Sequence, residues 1–399
     1  MIEELEILAA SLKGKTIQNI SASFIGGAAD TLSRMMPLMG QLGVDVWWDV
    51  IKRNDSFCQV ARKINNALHG RKENITPVNF ELFQEITREN VEEMDMYGDI
   101  LFIHGLQPVG LIQKKHKLNK KWIWGCHIDI SQPIEEAWNI LKPYIVQYDA
   151  AVFPAPAFSC KLPIKQFQIP PSIDPLSDRN KELPDEVIAD VLEKYGIPRD
   201  KPVITQVSYF DYLRNPLGVI EAFELVRKNF NCRLVFVGGA AGDDPGSGKV
   251  LAEVRERAGN NPDIHVVLVP PNSDIEINAL QWGSTIILQK SLGSGFGMTV
   301  SEALWKAKPV VASPVGGIPL QVKNRLTGFL AHGVEDTALA INQLLSNPDY
   351  AKRLGNNGRE HVKYNFLITR HLRDYLTLFL TLDHNDTLIN MMNVDVKHS

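Results

Sequence analysis

Short apolar runs alternate along this chain with longer segments whose apolar residues recur every three or four positions. In the second half, PVITQVS (202–208), RLVFVGG (233–239), IHVVLVP (264–270), TIILQ (285–289) and PVVASPV (309–315) read as buried strands. Between the first two, LGVIEAFELVRKNF (217–230) repeats Val219, Ile220, Phe223 and Val226 at helical spacing. Further helices are predicted near 249–259, from Asp274 onward, near 298–307 and across 335–382. Strands this apolar, each followed by a helix, predict a parallel sheet covered on both faces. The first half alternates in the same way: TIQNISASF (16–24), VDVWWDVI (44–51), DILFIHG (99–105), KWIWGCHI (121–128) and AAVFPA (150–155) read as strands, with a helix near 28–40. Residues 55–95 are polar and helix-prone and read as an insertion outside the sheet.

IPPSIDPLSDRNKELP (169–184), with its four prolines, is the predicted linker. The fold class is therefore α/β, with two doubly wound, Rossmann-like domains at 1–175 and 185–365, and a last helix near 366–382 that can pack back onto the first. A length of 399 residues agrees, at about 150 residues per domain. The 42 basic and 46 acidic residues leave a charge of −4, which excludes a strongly basic nucleic-acid surface. The four cysteines form no CxxC and no metal-ligand spacing, and they read as reduced thiols. The acidic start MIEELEILAASLKGK does not resemble a secretory signal, and no stretch approaches the ~20 apolar residues of a membrane span. The expectation is a soluble cytoplasmic protein without nucleic-acid or membrane partners, whose tail, 384–399, is loosely held.

Ligands of open parallel sheets bind beyond the carboxyl ends of the strands, in a crevice where two such domains face each other. Gly26 and Gly27 follow the first strand and precede a helix, where backbone amides can meet a phosphate or merely turn the chain. The absence of G-x-G-x-x-G disfavours a dinucleotide site. His104, with Gln107 beyond it, and His127, with Asp129 and Ser131, end two strands. Each histidine is either a sugar contact or a satisfied structural side chain, and Asp129 with Ser131 can equally open the next helix. The turn holding Gly293, Gly295 and Gly297 feeds a helix whose N-terminal amides point at an anion. On that helix Glu302 can reach ribose hydroxyls, or it can close a capping box with Thr299. SPVGGIP (313–319) is a second glycine turn.

The segments IGGAAD, HGLQP, CHIDIS, IPPSIDPLS, ITQVSYFDYLRNPLGVIEAF, GFGMTVSEALWKAKPVVASPVGGIPLQV and TGFLAHG resemble retaining glycosyltransferases of family four, which have the GT-B fold. Within that family the chain looks most like the glycosyltransferring trehalose synthases, and more distantly like fungal-type trehalose phosphorylases. The resemblance implies transfer of glucose from a nucleotide-glucose such as UDP- or ADP-glucose to glucose, with retention, no metal and no further cofactor. It implies catalytic roles for His127, Arg214 and Glu302. It implies donor contacts at Gly26, Gly27, Tyr209, Ser294, Gly295, Phe296, Gly297, Met298 and Thr299, and an acceptor side at His104, Gln107 and Asp129. A homodimer is implied by the resemblance alone.

Departures from the family pattern accompany these matches. Tyr209 stands where the family usually has arginine, and Arg214 where it has lysine. Ser294 replaces a glutamate eight residues before Glu302, Gly105 replaces aspartate and Gly125 replaces arginine. Losing one positioned charge against a developing oxyanion costs about 10²- to 10³-fold in rate. The expectation is a family scaffold with a depleted site, working as a transferase or, alternatively, as an inactive homologue that binds sugar or nucleotide or acts as a regulatory protein.

Overall fold

Successive residues of a strand point to opposite faces, so a run apolar at every position needs a core on both sides. In strand β3 (Ile100–His104), Leu101 and Ile103 enter one apolar cluster while Ile100 and Phe102 enter another. In β4 (Lys121–Gly125), Trp122 and Trp124 face the first cluster and Ile123 the second. The computed structural model describes residues 2–24, 28–239, 245–293 and 295–383. It divides into two compact units, one ending at Pro171 and regaining the chain from Ile368, the other running Ser172–Leu367.

The first unit holds a six-stranded parallel sheet. Together with β3 and β4 it contains β1 (Thr16–Ser21), β2 (Asp45–Val50), β5 (Ala150–Phe153) and β6 (Lys165–Gln168), in the order β2-β1-β3-β4-β5-β6. Strand order reverses at β1, between its neighbours β2 and β3. Strand β1 ends at Ser21, earlier than the run to Phe24 suggests. The 55–95 stretch forms two helices, Asp55–Leu68 and Pro77–Glu93, the second opened by a Thr76 capping box. The C-terminal helix Ile368–Asp383 belongs to this unit, with the Tyr375 and Phe379 rings against Phe102 at 5.3 and 6.0 Å.

The second unit repeats the plan with β7 (Val203–Val207), β8 (Arg233–Gly238), β9 (Ile264–Leu268), β10 (Ile286–Gln289), β11 (Val310–Ala312) and β12 (Phe329–Leu330). Their order is β12-β11-β10-β7-β8-β9, all parallel, with the reversal at β7 and β10. Val203, Val235 and Val237 face one core, and Ile204, Leu234 and Phe236 the other. The proline-rich segment from Ser172 onward belongs to this unit: the Asn278 amide donates to the carbonyls of Asp178 and Lys181, both at 2.9 Å. Among the described residues no helix is long and apolar enough to cross a membrane, and all four cysteines are free.

Candidate active site

At the carboxyl end of the second unit's sheet, β7 runs into a short loop and a 3₁₀ turn, Tyr212–Arg214. Asp211 caps that turn by accepting from the Arg214 amide at 3.0 Å. Asn215, in the left-handed conformation at φ 47°, then opens the helix Pro216–Arg227. These two caps fix the root of Arg214 and leave its guanidinium to reach across to Ser291, whose Oγ accepts at 3.1 Å. A Cβ placed on Gly295 would lie 3.6 Å from Arg214 Nη1, so the guanidinium lies against the bare backbone of the glycine turn. Gly295 and Gly297 adopt φ of 152° and 75°, which a side chain would disfavour. The helix Met298–Trp305 starts here, so a cation, two exposed-backbone glycines and a helix N-terminus converge. Asp211 Oδ2 sits 3.7 Å from Arg214 Nε and partly offsets the charge. Tyr209 is 59% exposed and fills nothing here. Ser294, Gly26 and Gly27 lie outside the described residues, as does 384–399.

Phe296 contributes only its backbone to this turn, because its ring is buried against Phe366, 5.9 Å away. The capping-box alternative for Glu302 is not what forms. The N-cap is Gly297, with no side-chain cap, and Thr299 is already inside the helix. Glu302 Oε2 instead accepts from Arg179 Nε and from Gln281 Nε2, both at 3.2 Å. Arg179 also pairs with Asp274 at 3.2 Å. One turn further on, the fully buried Lys306 donates to the carbonyls of Arg179 and Glu302. Burial pushes its ammonium down to about 7, against the pull of Glu302. Arg179 and Gln281 escaped the sequence reading. The only signal for Arg179 was its place just after PPSIDPLS, and Gln281 offered none beyond a polar residue on an apolar helix.

In the first unit His104 and His127 come together. His104 Nδ1 lies 3.1 Å from His127 Nε2, with the rings stacked at 5.4 Å and 15°. His104 Nε2 faces Asn19 Oδ1 at 3.1 Å. Burial, then the proximity of His127, holds His104 well below the ordinary histidine range. Crowding by the surrounding protein lowers His127 as well, although the residue itself is exposed. Asp129 accepts from the Ser131 amide at 2.9 Å in a tight turn, and the next helix starts only at Glu135. Gln107 lines a small pocket with Phe57, Thr87, Asn90 and Leu111, and its Oε1 has no partner among the described residues. Asn19 was missed in sequence. Its signal was a strand, β1, that buries Gln18, Asn19 and Ser21 amid apolar neighbours. Among the described residues no group of three His, Cys, Asp or Glu side chains is placed to hold a metal ion.

Two doubly wound sheets, the second with a glycine turn beyond its carboxyl end, define the class. The second unit is matched by the family described as glycosyl transferases group 1, over residues 188–361, and the fold is GT-B. The family described as the N-terminal domain of trehalose synthase matches residues 19–160. The trehalose synthase of Thermococcus litoralis is 38% identical over 385 residues, covering 94% of this chain and 93% of that protein. That of Rubrobacter xylanophilus is 37% identical over 390 residues, covering 95% and 93%. The chain belongs to the trehalose synthase family of group 1 glycosyltransferases. Among solved structures, a glycosyltransferase from Rickettsia africae superposes with a TM-score of 0.73 at 18% identity, covering 94% of this chain and all of that one. HepE of Anabaena, in complex with UDP-glucose, gives 0.66 at 15%, covering 92% and 99%.

Proposed function

We propose that this chain is a trehalose-synthase-like retaining glycosyltransferase that moves glucose from a nucleotide-glucose donor to glucose, with a site poorer in charge than its family pattern. The observation that carries this reading is the Arg214 guanidinium laid against the Gly295–Gly297 turn at a helix N-terminus, an anion site suited to a diphosphate. Glu302 is held by Arg179 and Gln281 through Oε2, and Oε1, with no hydrogen-bond partner among the described residues, can accept from ribose hydroxyls. In this reading the bond from the anomeric carbon to the diphosphate breaks and the acceptor hydroxyl attacks the same face. Its proton passes to the departing phosphate oxygen, so no metal and no side-chain nucleophile is required. Arg214 and the helix dipole stabilise the leaving group.

A second reading, an inactive homologue that binds sugar or nucleotide, draws on the same loop: Asp211 offsets Arg214, and Tyr209 brings no positive charge. Incubation with glucose and a panel of nucleotide-glucoses, with trehalose and free nucleoside diphosphate as readouts, separates the two. The transferase reading expects product, and it expects Arg214→Ala to lower kcat by about 10²- to 10³-fold. Absence of product at high enzyme concentration, with no gain from Tyr209→Arg combined with Ser294→Glu, favours the second reading.

A further inference from the structure

Asn19, His104 and His127 form a chain of hydrogen bonds whose direction is set from one end. Asn19 Nδ2 donates to the Trp47 carbonyl at 3.3 Å, so the atom turned to His104 Nε2 is the amide oxygen, Oδ1. An amide oxygen only accepts, and His104 Nε2 therefore carries a proton. His104 is 3% exposed and no carboxylate hydrogen-bonds to it, so its ring is neutral and Nδ1 is a bare lone pair. The 3.1 Å contact then requires His127 Nε2 to be the donor. A neutral imidazole with its proton on Nε2 has nothing on Nδ1. That nitrogen of His127 has no hydrogen-bond partner among the described residues, and the residue is exposed.

Gly125 belongs to the same device. A Cβ at this position would stand 3.2 Å from His104 Nδ1, 3.2 Å from His127 Nε2 and 3.0 Å from Phe102 Cε2. A side chain there would press on both members of the pair, which is a physical reason for glycine at a position where the family pattern has arginine.

We propose that Asn19 and His104 are positioning residues that lock His127 in the Nε2–H tautomer, so that His127 offers Nδ1 as a hydrogen-bond acceptor and engages a sugar through a hydroxyl that donates. The last clause rests on the transferase reading of His127, and the tautomer lock does not. The relay also sets a limit on the chemistry: at neutral pH His127 cannot donate a proton to a ligand from Nδ1, because it holds none there.

The test is ring-nitrogen NMR of the full chain labelled with ¹⁵N-histidine, with the His127 signals assigned through His127→Gln. The expected spectrum at pH 7 shows His127 Nε2 protonated and Nδ1 bare. Asn19→Leu is expected to mix the two tautomers. A His127 with Nδ1 protonated, or one whose tautomer ignores both Asn19→Leu and His104→Phe, overturns the proposal. Where glucose transfer is measured, Asn19→Leu lowers kcat about tenfold to a hundredfold with KM for the donor unchanged. The spectrum needs no substrate, so the two readings fail separately. A bare Nδ1 without turnover removes the transferase function and leaves the lock, whereas turnover with a protonated Nδ1 does the reverse.

Discussion

Arg179 is the residue on which the second unit's carboxylate site depends most. Its Nε and Nη1 are each 3.2 Å from an acid, Glu302 and Asp274, and the one other side chain that hydrogen-bonds the Glu302 carboxylate among the described residues is Gln281. Removing the guanidinium leaves a mostly buried carboxylate paired with one neutral amide, a loss of about 1–3 kcal/mol. Arg179→Ala is therefore expected to lower the urea midpoint. Arg179→Lys is expected to recover only part of it, because an ammonium cannot meet both acids in the same forked geometry. If the alanine variant unfolds at the wild-type midpoint, the pair contributes nothing to stability. Sequence reasoning placed Glu302 correctly on the helix and could not see Arg179, 123 residues earlier, as its partner.

At the scale of elements, helix Pro348–Asn365 meets the turn that follows helix Met298–Trp305 through glycine. A Cβ on Gly355 would stand 1.9 Å from the Ala307 carbonyl oxygen, so two backbones pass where no side chain fits. Gly355→Ala is expected to destabilise the chain by about 2–4 kcal/mol in equilibrium unfolding, more than an ordinary surface helix substitution. A neutral result would mean that the helix slides without loss. The strands that patterning missed explain themselves. In β6, KQFQ is mostly exposed at a sheet edge and carries a single apolar residue, and β12 is two residues long. The two helices within 55–95 were legible only as helix-prone sequence, because the residues that receive them, such as Leu111 and Trp122, are distant in the chain. The capping signature at Thr299 failed because Gly297 supplies a left-handed turn that starts the helix earlier.

For the whole molecule, the buried imidazoles set its response to acid. Burial first, then neighbouring His127 for His104 and neighbouring Arg370 for His371, hold both well below their ordinary value. Unfolding restores each to about 6.5, so below that pH the unfolded chain binds more protons than the folded one. Stability is then complete above about 6.5 and falls as pH drops below it. Denaturation midpoints at pH 7 and pH 5 are expected to differ in that direction, and His104→Phe with a retained fold is expected to reduce the difference. A midpoint insensitive to pH across this window would mean that these rings are solvated in the folded chain.

The sequence by itself determined two doubly wound parallel sheets, their family, and the turns and helix at which ligand chemistry collects. All of these are written in local periodicity and in motifs within a few residues of one another. Tertiary structure alone decided which side chains meet: Asn19 with His104 and His127, Arg179 with Glu302 and Asp274, Arg214 with Ser291 and the backbone at Gly295. The reason is physical. Strand and helix periods fix which face a residue takes, but a hydrogen bond of 3 Å between residues up to 123 positions apart depends on the register of strands and on loops that no local pattern encodes.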